Sequence, residues 1–424
     1  GVTSGTDLGS GVKQYQVVNQ KKFYTRWKET LETHRPNGIQ PRLEKDRGVT
    51  RRMLVIDAQV IRPDHDAGSL LKFHHLKLIQ SLGYKLTFVA DNMLHDGEYT
   101  RDLQRLGIEC VYAPHYLSVH QFLKKHASEF GFVMLCRPYV AIRYLDLLRH
   151  IAPEACIIYD TVDLHYLRER RQAEVEKNPL MAERAERTRE DELKLIRGSD
   201  ATIVVSPVEQ KILSVEAPDA NVHVVQLVIP EEPQGPGFET RRDLLFIGSY
   251  QHPPNVEAVL YFAGEIMPLI LPHIPDFKLR IIGAKPPAEI QALAGPHVEI
   301  LGFQRELAPY FDSCRVMVAP LRFGAGIKGK LGTSFSFGLP VVATSIAAEG
   351  MYLEDGRDLL IGDTPRDFAD AVIRLYTDPV LWQQLSEAGR RVVRERFAPE
   401  VIRRGLEEVI ASTGKRHALR QVTN

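Results

Sequence analysis

From residue 53 onward, short apolar runs rich in β-branched residues alternate with longer stretches of helical periodicity. The first runs lie at 53–60, 85–90, 109–113, 132–136, 156–159, 201–205 and 222–229. Continuous apolar character over about four to eight residues is what a strand buried on both faces requires. Residues Pro230–Gly237, PEEPQGPG, have the composition of a linker. A second series follows at 243–248, 278–283, 298–301, 316–321 and 340–344. Between strands, Leu71, Leu78 and Leu82 share a helical face behind Ser69, the predicted N-cap, and Val256, Val259, Ala263, Ile266 and Ile270 share another over 256–270. The stretch 167–197 is dense in charge of both signs, with pairs such as Glu183–Arg187 at i,i+4 spacing, and reads as a solvated helix leading into the strand at 201. Alternation of this kind predicts two doubly wound α/β units. Ligands of such sheets bind beyond the C-terminal ends of the strands.

Composition narrows the picture in four ways. At 424 residues the chain exceeds one ordinary core, which predicts two to three domains. Lys+Arg and Asp+Glu are equal at 54 each, so no global charge steers the protein towards nucleic acid or an anionic membrane. No apolar run reaches the roughly 18 residues of a spanning helix, and the first residues lack the apolar core of a signal peptide. The expectation is a soluble cytoplasmic protein, at most peripheral to the inner membrane. Cys110, Cys136, Cys156 and Cys314 lie in or beside apolar runs, with no CxxC pair and no His at ligand spacing, and read as reduced core thiols rather than a zinc site.

Candidate chemistry concentrates in residues 318–351, VAPLRFGAGIKGKLGTSFSFGLPVVATSIAAEGM. A strand over 316–321 runs into a loop carrying Gly324, Gly326, Lys328, Gly329 and Lys330. A helix then extends to Phe337, Gly338 stops it in the left-handed conformation, and Pro340 leads into the strand 341–344. Glycines let backbone approach an anion, a helix start offers unpaired N–H groups, and two lysines add charge. By itself the pattern leaves two roles open: a phosphate cradle, or a loop whose Gly and Lys only turn and solubilise it.

With GxGxKxK, GLPVVATS and AAEGM, this segment resembles the donor-sugar half of family 4 glycosyltransferases, which have the GT-B fold. The likeness extends through LLFIGSYQHPPNVEAVLYF (244–262), LRIIGAKPP (279–287) and VEILGFQRELAPYFDSCRVMVAPL (298–321). In the first half, residues 53–92 and IIYDTVDLHYLRERR (157–171) resemble the acceptor domain of bacterial members that build surface polysaccharides. Residues 1–48, with a G-S-G loop and the aromatic residues Tyr15, Phe23, Tyr24 and Trp27 as anchors, resemble the tail of a family 2 glycosyltransferase domain. They read as a helical extension or as the end of an upstream transferase module in the same polypeptide. The resemblance divides the rest into an acceptor domain (49–232), a linker (233–242), a nucleotide-sugar domain (243–395) and a C-terminal helical segment (396–424) packing back on the first domain.

What the resemblance implies is transfer of a sugar from a nucleotide-diphosphate donor to a glycan or lipid-linked acceptor, with retention and without a metal. No further cofactor is implied. The donor side falls on Gly248, Ser249, Phe303, Gly324, Gly326, Ile327, Lys328, Lys330, Thr333 and Glu349. Phe303 stands at the nucleobase position or in the core, and Asn255 caps the helix that follows. Glu349 contacts a donor hydroxyl or accepts turn N–H groups. Two glutamates usual in the family fall on Ala325 and Thr333, and a threonine hydroxyl is a weaker ribose partner than a carboxylate. The loop 248–252 contains no Lys or Arg where relatives often have one.

Asp160, Asp163 and His165 follow a strand and read as catalytic groups facing the cleft, or as turn residues. Asp64-His65-Asp66 matches a metal-binding DxD in letters only. Before Gly68 and Ser69, Asp66 reads instead as part of an acceptor-side loop with a helix cap, and His74 and His75 as positions on an ordinary amphipathic helix. Two rival functions share the architecture: a non-hydrolysing sugar-nucleotide epimerase, and a non-catalytic module that binds nucleotide or glycan.

Overall fold

A computed structural model describes Gly9, residues 13–324 and residues 326–423. Ser10 and Gly11 of the G-S-G loop, and Ala325, lie outside the described residues. The chain divides between Arg51 and Arg52 into two compact units. The first contains a helix, Gln14–Glu32, with non-helical backbone at Trp27, and a short helix, Pro41–Glu44, held by an Arg35–Glu44 ion pair of 3.3 Å. No residue of the longer helix is buried, and Tyr15, Phe23, Tyr24 and Trp27 are all exposed.

The second unit holds both predicted sheets. Strands β1 (Arg52–Asp57), β2 (Lys85–Ala90), β3 (Glu109–Val111), β4 (Phe132–Cys136), β5 (Cys156–Asp160), β6 (Ala201–Val204) and β7 (Val222–Val224) form a parallel sheet in the order β3-β2-β1-β4-β5-β6-β7. Strands β8 (Arg242–Ile247), β9 (Leu279–Ile282), β10 (Val298–Gly302), β11 (Cys314–Ala319), β12 (Val341–Ala343) and β13 (Leu360–Ile361) form the other, in the order β10-β9-β8-β11-β12-β13. Both orders reverse beside their first strand, at β1/β4 and β8/β11. That reversal opens a crevice at the strand ends. The fold is two Rossmann-like domains in the GT-B arrangement.

Burial explains why the strands carry few polar residues. Met53 to Ile56, Val316 to Ala319 and Val341 to Ala343 are almost wholly removed from water, with helices on both faces. The helix Pro399–Thr423 lies against the first sheet, placing Ile402, Leu406 and Val409 in one cluster with Met53, Val55 and Leu76.

Several boundaries differ from the sequence reading for identifiable reasons. Strand β11 begins at Cys314 because Arg315 is buried between rings, with its guanidinium 4.0 Å from the Phe238 centroid and 4.6 Å from that of Tyr376. The helix over 67–81 is capped by Asp66, whose carboxylate accepts from the Ser69 N–H at 2.8 Å, so Ser69 is a first-turn residue and not the cap. The charged stretch is two helices, His165–Glu176 and Pro179–Gly198, broken where Lys177 takes a left-handed φ of 51° before Asn178-Pro179. The helix after β8 starts at Pro253 and passes through a π turn at Phe262–Ile266. Cys136, Cys156 and Cys314 are buried and Cys110 is partly so, all four as free thiols.

Candidate functional site

The loop after β11 is built as the sequence suggests. Gly324 and Gly326 have positive φ values of 148° and 64°, a region open chiefly to glycine, and the helix Gly329–Ser336 begins directly after Lys328. Gly338, at φ 65°, ends that helix. The ammonium of Lys328 donates to the Gly326 carbonyl at 2.7 Å. Lys330 donates to Asn255 Oδ1 at 2.6 Å and lies 4.4 Å from the Phe246 ring centroid. Among the described residues no carboxylate pairs with Lys330, so burial, with Lys328 beside it, pulls its amine down to about 7. Burial also lowers Lys328, to about 8, against the pull of Glu349 and Glu209.

The loop after β8 meets this corner through Asn255. A side-chain amide of Asn255 donates to the Ser249 carbonyl at 2.8 Å while its oxygen receives Lys330, so it ties the two loops together. It does not cap the helix, because it already sits inside it and is buried. The same side chain packs on Gly248, where a Cβ would overlap it. Phe303, after β10, is 54% exposed, which removes it from the core and leaves a free ring face at that strand end. Ile327 packs on the core of this domain and against the Gly350 turn. Thr333 lies within the helix and spends its hydroxyl on the Gly329 carbonyl at 3.1 Å.

Across the cleft, the strand-end group of the first domain separates into different roles. Asp160 does not face the cleft. It is fully buried and ion-paired with Lys72, also fully buried, and its other oxygen accepts from the Val162 N–H at 3.2 Å. Burial alone would raise its carboxyl, but the Lys72 ammonium outweighs that and holds it ionised. Val162 follows with φ of 66°, a strained conformation for a β-branched residue, and delivers Asp163 to the cleft.

Asp163 is ion-paired with Arg168 and lies 3.2 Å from His165 Nδ1. Burial opposes its charge, yet Arg168 and His165 keep it well below the usual carboxylate range. Burial disfavours the charged form of His165 and lowers its imidazole despite the Asp163 charge. Its Nδ1 is 3.0 Å from the Asp163 carbonyl, which can only accept, so Nδ1 carries the proton and Nε2 is the basic nitrogen. Asp163 also stands where the two sheets approach: a Cβ on Gly326 would be 3.1 Å from that of Asp163, and His252 of the β8 loop feels both Asp163 and Arg168. Asp163 is thus brought to the glycine-lysine loop with His165 beside it, and Asp160 is not.

Asp66, Gly68 and Ser69 form the start of the helix beside this loop. Asp66 accepts from both the N–H and the hydroxyl of Ser69 at 2.8 Å, and a Cβ on Gly68 would be 3.0 Å from Val162 Cγ1. Asp64 accepts from the Tyr99 hydroxyl at 3.0 Å, and among the described residues no group of three His, Cys, Asp or Glu is placed to hold a metal ion. His75, far from an ordinary helix-surface position, is fully buried against the Gln226 carbonyl at 2.9 Å.

Basic side chains of the other domain also reach this corner. Arg168 and Arg171, one turn apart on His165–Glu176, point their guanidinium groups at Asp163 and at Glu349. Glu349 is therefore neither a free ligand nor a plain turn acceptor: Arg171 grips it at 3.0 Å through two nitrogens. In sequence both arginines read as part of a solvated charged helix. Their i,i+3 spacing after the strand-end motif was the available signal. Behind them Glu209 accepts the N–H groups of Leu164, Val205 and Ser206 and is pushed up by burial to about 7, and Glu192 accepts those of His165 and Tyr166 and is pushed up to about 8.

Residues 241–378 match the family Glycosyl transferases group 1. A curated Klebsiella pneumoniae protein, described as an uncharacterized 44.6 kDa protein in the cps region, is 26% identical over 140 residues, which span 31% of this chain and 36% of that relative. Among solved structures, S. aureus TarM in complex with UDP, fondaparinux and α-GlcNAc-glycerol is similar with a TM-score of 0.68 at 9% identity, over 85% of this chain and 99% of that one. Anabaena HepE in complex with UDP and glucose is similar with a TM-score of 0.64 at 13% identity, over 85% and 100% of the two chains. At such identities the likeness is one of fold: the chain has the GT-B fold, and the stretch that matches Glycosyl transferases group 1 lies in its second domain.

Proposed function

We propose that this chain transfers a sugar from a nucleoside-diphosphate donor to a glycan or lipid-linked acceptor in polysaccharide biosynthesis, as a retaining enzyme of the family 4 kind. The observation that carries this reading is the pair Lys328 and Lys330. Lys328 is buried and Lys330 partly buried at a helix start after a glycine loop, at the switch point of the second sheet, opposite Asp163. Departure of a nucleoside diphosphate puts negative charge on the leaving phosphate, and positioned ammonium and N–H groups stabilise that charge most where water is excluded. In this reading the two lysines take the diphosphate, Gly248 and Ser249 line it from the facing loop, and Phe303 offers its exposed ring to the base. His165 Nε2 and the Asp163 carboxylate orient the acceptor and donor sugar, while a donor phosphate oxygen helps to accept the hydroxyl proton. UDP in TarM and HepE, and the cps setting of the Klebsiella relative, agree with it.

A thermal-shift screen against UDP, GDP, dTDP and CMP tests the binding half, because a ligand that binds only the native state raises Tm. A clear shift with one nucleoside diphosphate is expected, and no shift with any of them overturns the reading. The position of Thr333, with its hydroxyl committed to Gly329, favours one second reading, a module that binds donor without turning it over. Slow donor hydrolysis by the protein excludes that module.

A further inference from the structure

Arg171 joins the two domains at one point. Its Nη1 donates to the Gly324 carbonyl at 2.7 Å and to Glu349 Oε1 at 3.0 Å, and its Nη2 lies 3.0 Å from Oε2. A guanidinium fork on both oxygens of a carboxylate is the geometry it would also adopt on the O–P–O edge of a phosphate. Lys328 reaches the same place: a Cβ on Gly324 would lie 3.5 Å from Lys328 Nζ. Glu349 is also the carboxylate that most strongly favours the charged form of that lysine. Two cations from opposite domains thus converge on Gly324, and one internal carboxylate serves them both. The turn bearing it is pinned to the first domain as well, since Gln226 Nε2 donates to the Gly350 carbonyl at 2.7 Å. At Gly350, φ is 83° and a Cβ would overlap Ser206, so only glycine fits there.

We infer that Arg171 is a ligand of the donor diphosphate, supplied by the first domain, and that Glu349 occupies its anion position in the ligand-free protein as an internal competitor. The inference rests on the proposed donor site and deepens it. A diphosphate carries more charge than one carboxylate, so it displaces Glu349 from Arg171 and Lys328 and takes over the bridge between the domains. The arginine replaces the basic residue that 248–252 lacks.

The test is calorimetric titration of wild type, Glu349→Gln, Arg171→Ala and the double variant with UDP, GDP and inorganic pyrophosphate, with melting curves to verify folding. Loss of the competitor in Glu349→Gln tightens binding by about tenfold, and loss of the ligand in Arg171→Ala weakens it by about tenfold or more. In the Arg171→Ala background, Glu349→Gln gains much less. Pyrophosphate shows the same ordering, because the effect resides in the anion and not in the base. Folded Glu349→Gln that binds no better than wild type, or worse, overturns the inference, and weakening of nucleotide-sugar binding alone would assign Glu349 to a donor hydroxyl instead. Failure of wild type to bind any of the probes overturns the proposed function itself.

Discussion

Lysine burial makes a quantitative prediction about protons. Lys330 is drawn down to about 7 and Lys328 to about 8 because burial disfavours their charged forms. At pH 8 they are therefore about one-tenth and about one-half protonated. A diphosphate placed between them favours the ammonium forms and raises both groups, so binding at pH 8 takes up between about one and one and a half protons. The sign follows directly. A bound state that holds more protons loses affinity as pH rises, so log Kd increases by about that number per pH unit near pH 8. Uptake fades towards pH 6.5, where the free lysines are already charged. At pH 8 the diphosphate itself is fully ionised, its last group titrating near about 6, so the measured uptake belongs to the protein. Calorimetry in buffers of different ionisation enthalpy reads the number, using the nucleoside diphosphate that binds. In Lys330→Met it drops to about one-half, the share left to Lys328. Binding without proton uptake in wild type, or uptake unchanged in Lys330→Met, would refute the placement of the diphosphate on these amines.

Two further predictions follow from the first domain. Asp163→Asn and His165→Ala should each cut sugar transfer by about 10²-fold or more while nucleotide affinity stays within a few fold, as expected for groups that act on the transition state. Full activity in both returns the pair to a structural role. Lys72→Met should destabilise the protein by about 3–5 kcal/mol, because it leaves the Asp160 carboxylate buried without its partner. Lys72→Met with Asp160→Asn should recover much of that loss in denaturant unfolding, and an equal loss in the single and double variants would show that the pair is not coupled.

The two parallel sheets were legible because strand burial forces apolar runs, and those runs survive in one dimension. All the strands were legible except β13, whose two residues, Leu360 and Ile361, are too few to make a pattern. Arg315 hid the start of β11 because a charged residue reads as a strand end until its aromatic neighbours are seen. Local chemistry was equally readable: the glycine turns, the two lysines and the helix stop lie within 15 residues of one another, from Gly324 to Gly338. Chemistry that depends on distant partners was not. Lys72 meets Asp160 across 88 positions and Arg171 meets Glu349 across 178. Asp160 therefore read as a cleft residue and Arg171 as a solvated one. Asp163 and Asp160 are three residues apart and look alike in sequence, yet the left-handed turn at Val162 sends one to the cleft and leaves the other in the core.

The central claim, that this chain turns over a nucleoside-diphosphate sugar, is tested most directly by donor hydrolysis in the absence of acceptor. Wild type should release nucleoside diphosphate from at least one of the UDP-, GDP- or dTDP-sugars above the uncatalysed rate. The folded Lys328→Ala/Lys330→Ala variant should fall to that background, since each lost charge-assisted contact accounts for about 1.5–3 kcal/mol. Release by the variant at the wild-type rate, or no release by wild type from any of these donors, contradicts the account.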